Sequence, residues 1–323
     1  MKSAFRFLAC IAVALFTVTA GAEDFPSRPI TLVVAYPPGG GADAIGRLLA
    51  QKMSEAMGVS VIVDNRPGFS GNIGAQSVAK AKPDGYTLLV APWTTYAINS
   101  LLYPDKVGYS LEREFTPVSV IGYLPLVLMV NAQLPAKTVP ELIELAKSKP
   151  DALSYGSTGI GSLEQIAAEM FKRQTQTRIV HVPYKGSGPA ISDLMGGQIQ
   201  VFFITAPTAV ANEKSDKVRL LMLTMPERNA ALPNLPTPNE AGLPGYEVFS
   251  TYGLLAPAGT PPEVMSKLNS EVVKILRMPD VKAKFLTLGV DASPSTSAEA
   301  SARIKGDLAK WGKALQESDI KGE

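Results

Sequence analysis

The segment Tyr36-Pro-Pro-Gly-Gly-Gly-Ala-Asp43 carries the clearest chemistry in this chain. It joins an apolar, β-branched run, Ile30 to Tyr36, to a stretch in which Ala44, Ile45, Leu48, Leu49 and Met53 recur at helical spacing. The first backbone N–H groups of a helix have no partner within it, and the helix dipole puts its positive end there. Such a turn holds an anion without any basic side chain. Gly39, Gly40 and Gly41 let a ligand approach the backbone closely. On this reading Tyr36, Pro38, Gly39, Gly40, Ala42 and Asp43 meet the ligand. The competing reading is a tight turn in which Asp43 caps the helix. A second strand-to-helix junction, Tyr155-Gly-Ser-Thr-Gly-Ile-Gly-Ser162, repeats the arrangement and adds the hydroxyls of Ser157, Thr158 and Ser162 to the backbone at Gly159 and Gly161. Two such loops facing each other grip both ends of one small anion, and a Gly at position 40 changed to Asp would abolish that grip. A third Gly-rich loop, Arg66 to Gly71, offers Ser70 at the edge, and Trp93-Thr94-Thr95 follows a strand at the edge where ligands sit in open α/β sheets.

Other chemistries are harder to assemble. Gly39-x-Gly41-x-x-Ala44 loosely matches a dinucleotide fingerprint, with Asp64 standing about 20 residues on, where a ribose-binding acid belongs. Two prolines stiffen that turn, nothing downstream suits hydride transfer, and Asp64 has Arg66 as a local partner. His181 is the only histidine and lies in the apolar strand Ile179 to Val182, which favours a structural role. No G-x-S-x-G elbow accompanies it, and no cluster of His, Cys and acids suggests a metal site. The reading is therefore not an enzyme, with no cofactor and no metal.

These loops sit in an alternation of strands and helices. Ile30 to Tyr36, Val59 to Val63 and Tyr86 to Ala91 form a β-α-β-α-β unit with a parallel sheet. After Thr116 come further strands near Val127–Asn131, Leu153–Tyr155, Ile179–Val182, Gln200–Ile204 and Arg219–Thr224, with a capping box Thr138-Val-Pro-Glu141 opening a helix. Val118 to Leu128 and Val248 to Ala256 are long, apolar and broken by Gly122, Pro125 and Gly253, as befits two strands passing between lobes. Helices near Pro262–Leu276 and Ser297–Leu315 then return to the first lobe.

Composition sets the compartment. Lys2 and Arg6 precede an apolar run, Phe7 to Val18, and Ala20-Gly21-Ala22 supplies an export cleavage site after Ala22. That run is short of the roughly 20 residues of a membrane span. Cys10, the only cysteine, is removed with the leader, so no disulfide or thiol nucleophile is expected; acylation at Cys10 would leave a greasy tail on the exported chain. Two of the 31 basic residues lie in this segment, which leaves 29 against 29 acidic ones. A balance so close to neutral gives no broad field for nucleic acid.

Taken in order, Phe25-Pro-Ser-Arg-Pro-Ile30, Tyr36-Pro-Pro-Gly-Gly-Gly, Asp64-Asn-Arg-Pro-Gly68, Pro83-Asp-Gly-Tyr-Thr-Leu88, His181-Val-Pro-Tyr-Lys-Gly186 and Gly253-Leu-Leu-Ala-Pro-Ala-Gly-Thr-Pro261 resemble the periplasmic solute-binding proteins of tripartite tricarboxylate transporters, the Bug family. The resemblance implies an α/β, two-lobed type II periplasmic-binding fold closing on a ligand in the inter-lobe cleft. It implies carboxylate capture by the loops after Tyr36 and Tyr155, with bridging waters and few charged side chains. Three positions depart from the family pattern: Gln165 where a His is frequent, Ile204 where an Asp is common beside Thr205, and Thr251 where an aromatic often precedes the Tyr-Gly pair. If they line the pocket, its far side is less polar than usual, which favours a dicarboxylate or an aromatic acid over an amino acid.

The combined expectation is a signal peptide (1–22), a first lobe (23–122 plus 251–323) and a second lobe (123–250). The protein is a periplasmic monomer that delivers a small carboxylate to membrane permease subunits. Presentation of the ligand to a sensor kinase is the alternative, with an NAD(P)-binding oxidoreductase a distant third.

Overall fold

A computed structural model describes residues 25–39, 41–184 and 186–317; the expected export signal at 1–22 and the expected ligand contact Gly40 lie outside the described residues. The first lobe's expected unit is present. β1 (Ile30–Val34) feeds α1 (Gly41–Met57), β2 (Val61–Asn65) leads through a short 3₁₀ turn (Phe69–Gly71) to α2 (Asn72–Ala79), and β3 (Thr87–Pro92) runs directly into α3 (Trp93–Leu102). Parallel β2-β1-β3 pairing puts Leu32 opposite both Val63 and Leu88.

β4 (Phe115–Asn131) follows, then α4 (Val139–Ser148), β5 (Ser154–Ser157), α5 (Leu163–Thr175), β6 (Val180–Pro183) and α6 (Ser187–Met195). β7 (Val201–Thr205), α7 (Ala206–Asn212), β8 (Val218–Leu223) and β9 (Phe249–Pro257) come next. The tail holds α8 (Pro262–Arg277), α9 (Pro279–Thr287), the two-residue β10 (Asp291–Ala292) and α10 (Ser297–Gln316). The strands join in the order β2-β1-β3-β9-β4-β7-β5-β6, with β8 and β10 also pairing to β4.

Alternation along the strands builds two cores, one on each face of the sheet. Val33 and Ala35 face one core while Leu32 and Val34 face the other, and in β4 Leu128 and Val130 part in the same way from Val127 and Met129. Strands buried on both faces must be apolar at nearly every position, which is why β1, β3 and β4 read as continuous hydrophobic runs.

β4 is the longest strand and serves both halves of the sheet. Phe115 to Pro125 pair with β9, whereas Leu126 to Val130 pair with β7 and the stretch from Val127 to Asn131 pairs with β8. Irregularities at Pro117/Ser119 and Val120/Gly122 bend the first part, and Gly122 lies so close to the Asp291 carbonyl that a Cβ there would come within 2.3 Å of it. The tail closes the first half: α8 packs on α1 and β4, and α10 packs on α3 and β4.

Trp93 is the hinge pin of that closure. Its indole Nε1 donates to the Asp307 carboxylate of α10 at 3.0 Å, and Thr94 Oγ1 accepts the backbone N–H of Thr251 at 2.9 Å. Gly253 of β9 lies beneath the ring, where a Cβ would fall 2.1 Å from it. An indole flanked by strand and helix cannot swing away from such a contact. Gly253→Ala should therefore lower unfolding free energy by about 1–3 kcal/mol, the usual cost of overpacking a filled core. Urea unfolding followed by Trp fluorescence measures it, and an unchanged midpoint would show that the ring yields freely.

Candidate functional site

A cavity opens where strands of both halves end. Its volume is about 230 Å³. One wall carries Tyr36 after β1, Ser70 after β2, Pro92 at the end of β3 with Thr95 beyond it, and Ser250 and Tyr252 of β9. The facing wall is the loop from Thr158 to Ser162 running into Leu163 and Glu164 of α5, with Thr205 at the end of β7. Leu124 and Leu126 of β4 lie between the walls. In α/β sheets ligands bind outside the carboxyl ends of strands, and most of these positions are such ends.

On the first wall, Tyr36 donates its hydroxyl proton to the Ser70 carbonyl at 3.1 Å. Phe69 and Ser70 hold φ values of 46° and 52°, a left-handed backbone that non-glycine residues adopt only under constraint. Burial pushes the phenols of Tyr36 and Tyr252 well above their ordinary range, so both remain neutral hydroxyls.

The turn after Tyr36 is organised from within. Asp43 Oδ2 accepts the Gly39 N–H at 2.9 Å and the Arg47 Nε–H at 2.8 Å, while Oδ1 accepts from Asn65 Nδ2 at 2.9 Å. Burial acts to raise this carboxyl, but the bonds from Arg47, Gly39 and Asn65 outweigh it and hold Asp43 at about 2. The expected orphan donor at Gly39 is thus already paired. Asp43 is 3% exposed and staples the loop, and Pro38, Gly39 and Ala42 do not line the cavity.

The second loop divides in the same way. Thr158, Gly161 and Ser162 line the cavity. Ser162 is the N-cap of α5, accepting from Gln165 N, while Gln165 Oε1 accepts the Gly161 N–H at 2.7 Å. Gln165 is a buried cap partner, and the capping geometry turns it inward. Ser157 is fully buried, with its Oγ 2.6 Å from His181 Nε2 and bonded to the Gly159 carbonyl. His181 stacks on Tyr155 at 4.8 Å, and burial lowers its pKa, as suits a packed neutral imidazole.

Several expectations are corrected by these positions. Trp93, Thr94 and Thr251 are sealed in the junction with Asp307 and do not reach the cavity; of the three residues after β3 only Thr95 lines it. Ser157, Gly159 and Gln165 support the second loop from behind, and Ile204 is buried in the sheet. With Gln165, Ile204 and Thr251 off the wall, these three residues do not discriminate against an amino-acid ligand. Asp64 pairs with Arg66 at 2.7 Å. Leu124, Leu126, Ser250, Tyr252 and above all Glu164 line the cavity with no motif in the sequence to mark them. Glu164 was findable as an acid two places into the helix that opens from an already suspect loop. Among the described residues no group of three or more His, Cys, Asp or Glu is placed to hold a metal ion.

A cavity walled from both halves of one sheet, rich in neutral hydroxyls and backed by apolar side chains, defines a small-molecule receptor. Residues 45–320 match the model of the tripartite tricarboxylate transporter family receptors. A UPF0065 protein from the tcbD-tcbE intergenic region of Pseudomonas sp. (strain P51) is 38% identical over 97% of this chain and 94% of its own length. The structure of Rpa4515 of R. palustris with adipate is 36% identical, with a TM-score of 0.82 over 92% of this chain and 99% of that one. MatC (Rpa3494) of Rhodopseudomonas palustris with bound malate is 31% identical, with a TM-score of 0.76 over 90% and 99%. This chain belongs to the tripartite tricarboxylate transporter receptor family, whose members are periplasmic solute-binding receptors and not catalysts. Among the described residues no helix is long and apolar enough to cross a membrane.

The Asp43 staple makes a pH prediction. Its folded pKa lies below the ordinary 3.8, so its stabilisation is present above about pH 4 and is lost as pH falls towards 2. Asp43→Asn should cost about 1–2 kcal/mol at pH 7 and much less at pH 2.5. Denaturant unfolding of both proteins at the two pH values checks this; an equal difference at each would mean the carboxylate charge contributes nothing.

Proposed function

We propose that the chain captures a small carboxylate, a dicarboxylate or an aromatic acid in preference to an amino acid, and presents it to the membrane permease subunits of a tripartite transporter. The observation that carries this reading is the lining of the cavity. Hydroxyls of Thr95, Ser250 and Tyr252 can donate to carboxylate oxygens, while Leu124, Leu126 and Ile160 suit a short carbon skeleton. Among the described residues no Lys, Arg or His lines it, so an anion held here is met by neutral donors. The preference for a dicarboxylate now rests on the relatives that carry adipate and malate, neither of which has an ammonium group.

The binding cycle follows from the sheet. Residues 23–122 with 251–323, and residues 123–250, move as two lobes, bending where β4 changes partners near Pro125 and where the chain enters β9. The open form takes the ligand on the Tyr36 wall, and closure brings Thr158 to Glu164 onto its other end. Ligand shifts this equilibrium only by its higher affinity for the closed form. The chain works as an exported monomer.

Thermal unfolding of the chain against a panel of mono-, di- and tricarboxylates, aromatic acids and amino acids tests the reading. A ligand at about 100 times its dissociation constant should add roughly 2.7 kcal/mol. A selective rise with dicarboxylates or aromatic acids is expected. A rise with amino acids alone, or with a sugar or nucleotide and no acid, would overturn it.

A further inference from the structure

Among the described residues the cavity lining holds one carboxyl. Glu164 stands in the first turn of α5, half-buried on the wall opposite Tyr36 and Tyr252. Its Oε2 accepts the Thr158 hydroxyl at 2.8 Å, and the Ser162 hydroxyl and the amide at the helix start also bond to it. The titratable groups that face it are the phenols of Tyr36 on the β1 side and Tyr252 on β9, both neutral. Among the described residues, no cation stands in the lining to offset its charge.

A dianionic ligand spanning this cavity would set one carboxylate against that of Glu164. Two carboxylates at contact distance cannot both stay ionised; one proton is taken up and shared between them. The surroundings already lean that way, because burial raises the Glu164 pKa above its ordinary value despite the hydroxyl and amide bonds that oppose it.

Resting on the carboxylate reading above, we propose that Glu164 is the residue that selects for a second carboxyl group, binding it through a single shared proton. In the complex Oε2 keeps the Thr158 hydroxyl bond and the other oxygen donates O–H to the ligand carboxylate. No bond other than O–H forms or breaks, and the proton comes from solvent. The bound state then holds one proton more than the free partners, so affinity for a dicarboxylate falls about tenfold per pH unit above the free pKa values. A periplasmic receptor built this way loads better in acid surroundings.

Calorimetric titration of the full chain with adipate, in two buffers of different ionisation enthalpy between pH 6 and pH 8, counts the proton directly. Wild type should take up about one proton per adipate at pH 7.5. Glu164→Gln keeps an oxygen for Thr158 and supplies a permanent N–H donor, so it should take up none. It should also lose the pH slope and bind adipate at least about tenfold more tightly at pH 8. Binding by wild type without proton uptake, or tenfold weaker binding by Glu164→Gln at every pH, would overturn the shared proton while leaving the carboxylate reading intact. If wild type binds no dicarboxylate across this range the shared proton falls, and if it binds no aromatic acid either, the carboxylate reading falls with it.

Discussion

The structure depends on one strand belonging to two pairings at once. β4 runs unbroken from Phe115 to Asn131, yet its first part is hydrogen-bonded to β9 and its last part to β7 and β8. A strand interior has donors and acceptors on both edges, and each must be met when buried. That requirement fixes where β7, β8 and β9 stand. It also explains the cavity, since the partner change leaves Leu124 and Leu126 between two sets of strand ends.

Around this spine the loops are made rigid before any ligand arrives. Asp43 ties Gly39, Arg47 and Asn65 together, and Gln165 with Ser162 caps α5 from both sides. These internal bonds consume donors that seemed free for an anion. In exchange they hold the Tyr36 and Thr158 walls in place, so that hydroxyl groups on short side chains can serve a ligand with little loss of conformational freedom.

The fold was largely legible because its signals are local. Apolar runs mark the buried strands, and the capping box at Thr138 opens a helix where it stands. The interval Val118–Leu128 was read as a lobe crossing because its length, Gly122 and Pro125 are visible in one dimension. Strand β2 fell two residues later than expected, and α3 was not anticipated, since Trp93-Thr94-Thr95 gives no cap that announces a helix.

The candidate site was legible only by neighbourhood. The sequence by itself determined the family, the strand-to-helix loops and the neutrality of their chemistry, because glycines, hydroxyl residues and missing histidines need no partner to be counted. Which atoms look into the cavity was decided by tertiary contacts. Trp93 went to Asp307, 214 residues away along the chain, and Thr251 followed it inward. Asp43 turned to Arg47 and Gln165 to Gly161, whereas Glu164, one acid among 29, was left lining the cavity. A polar side chain takes the best partner that the folded chain brings within reach, and that choice is not written at the residue itself.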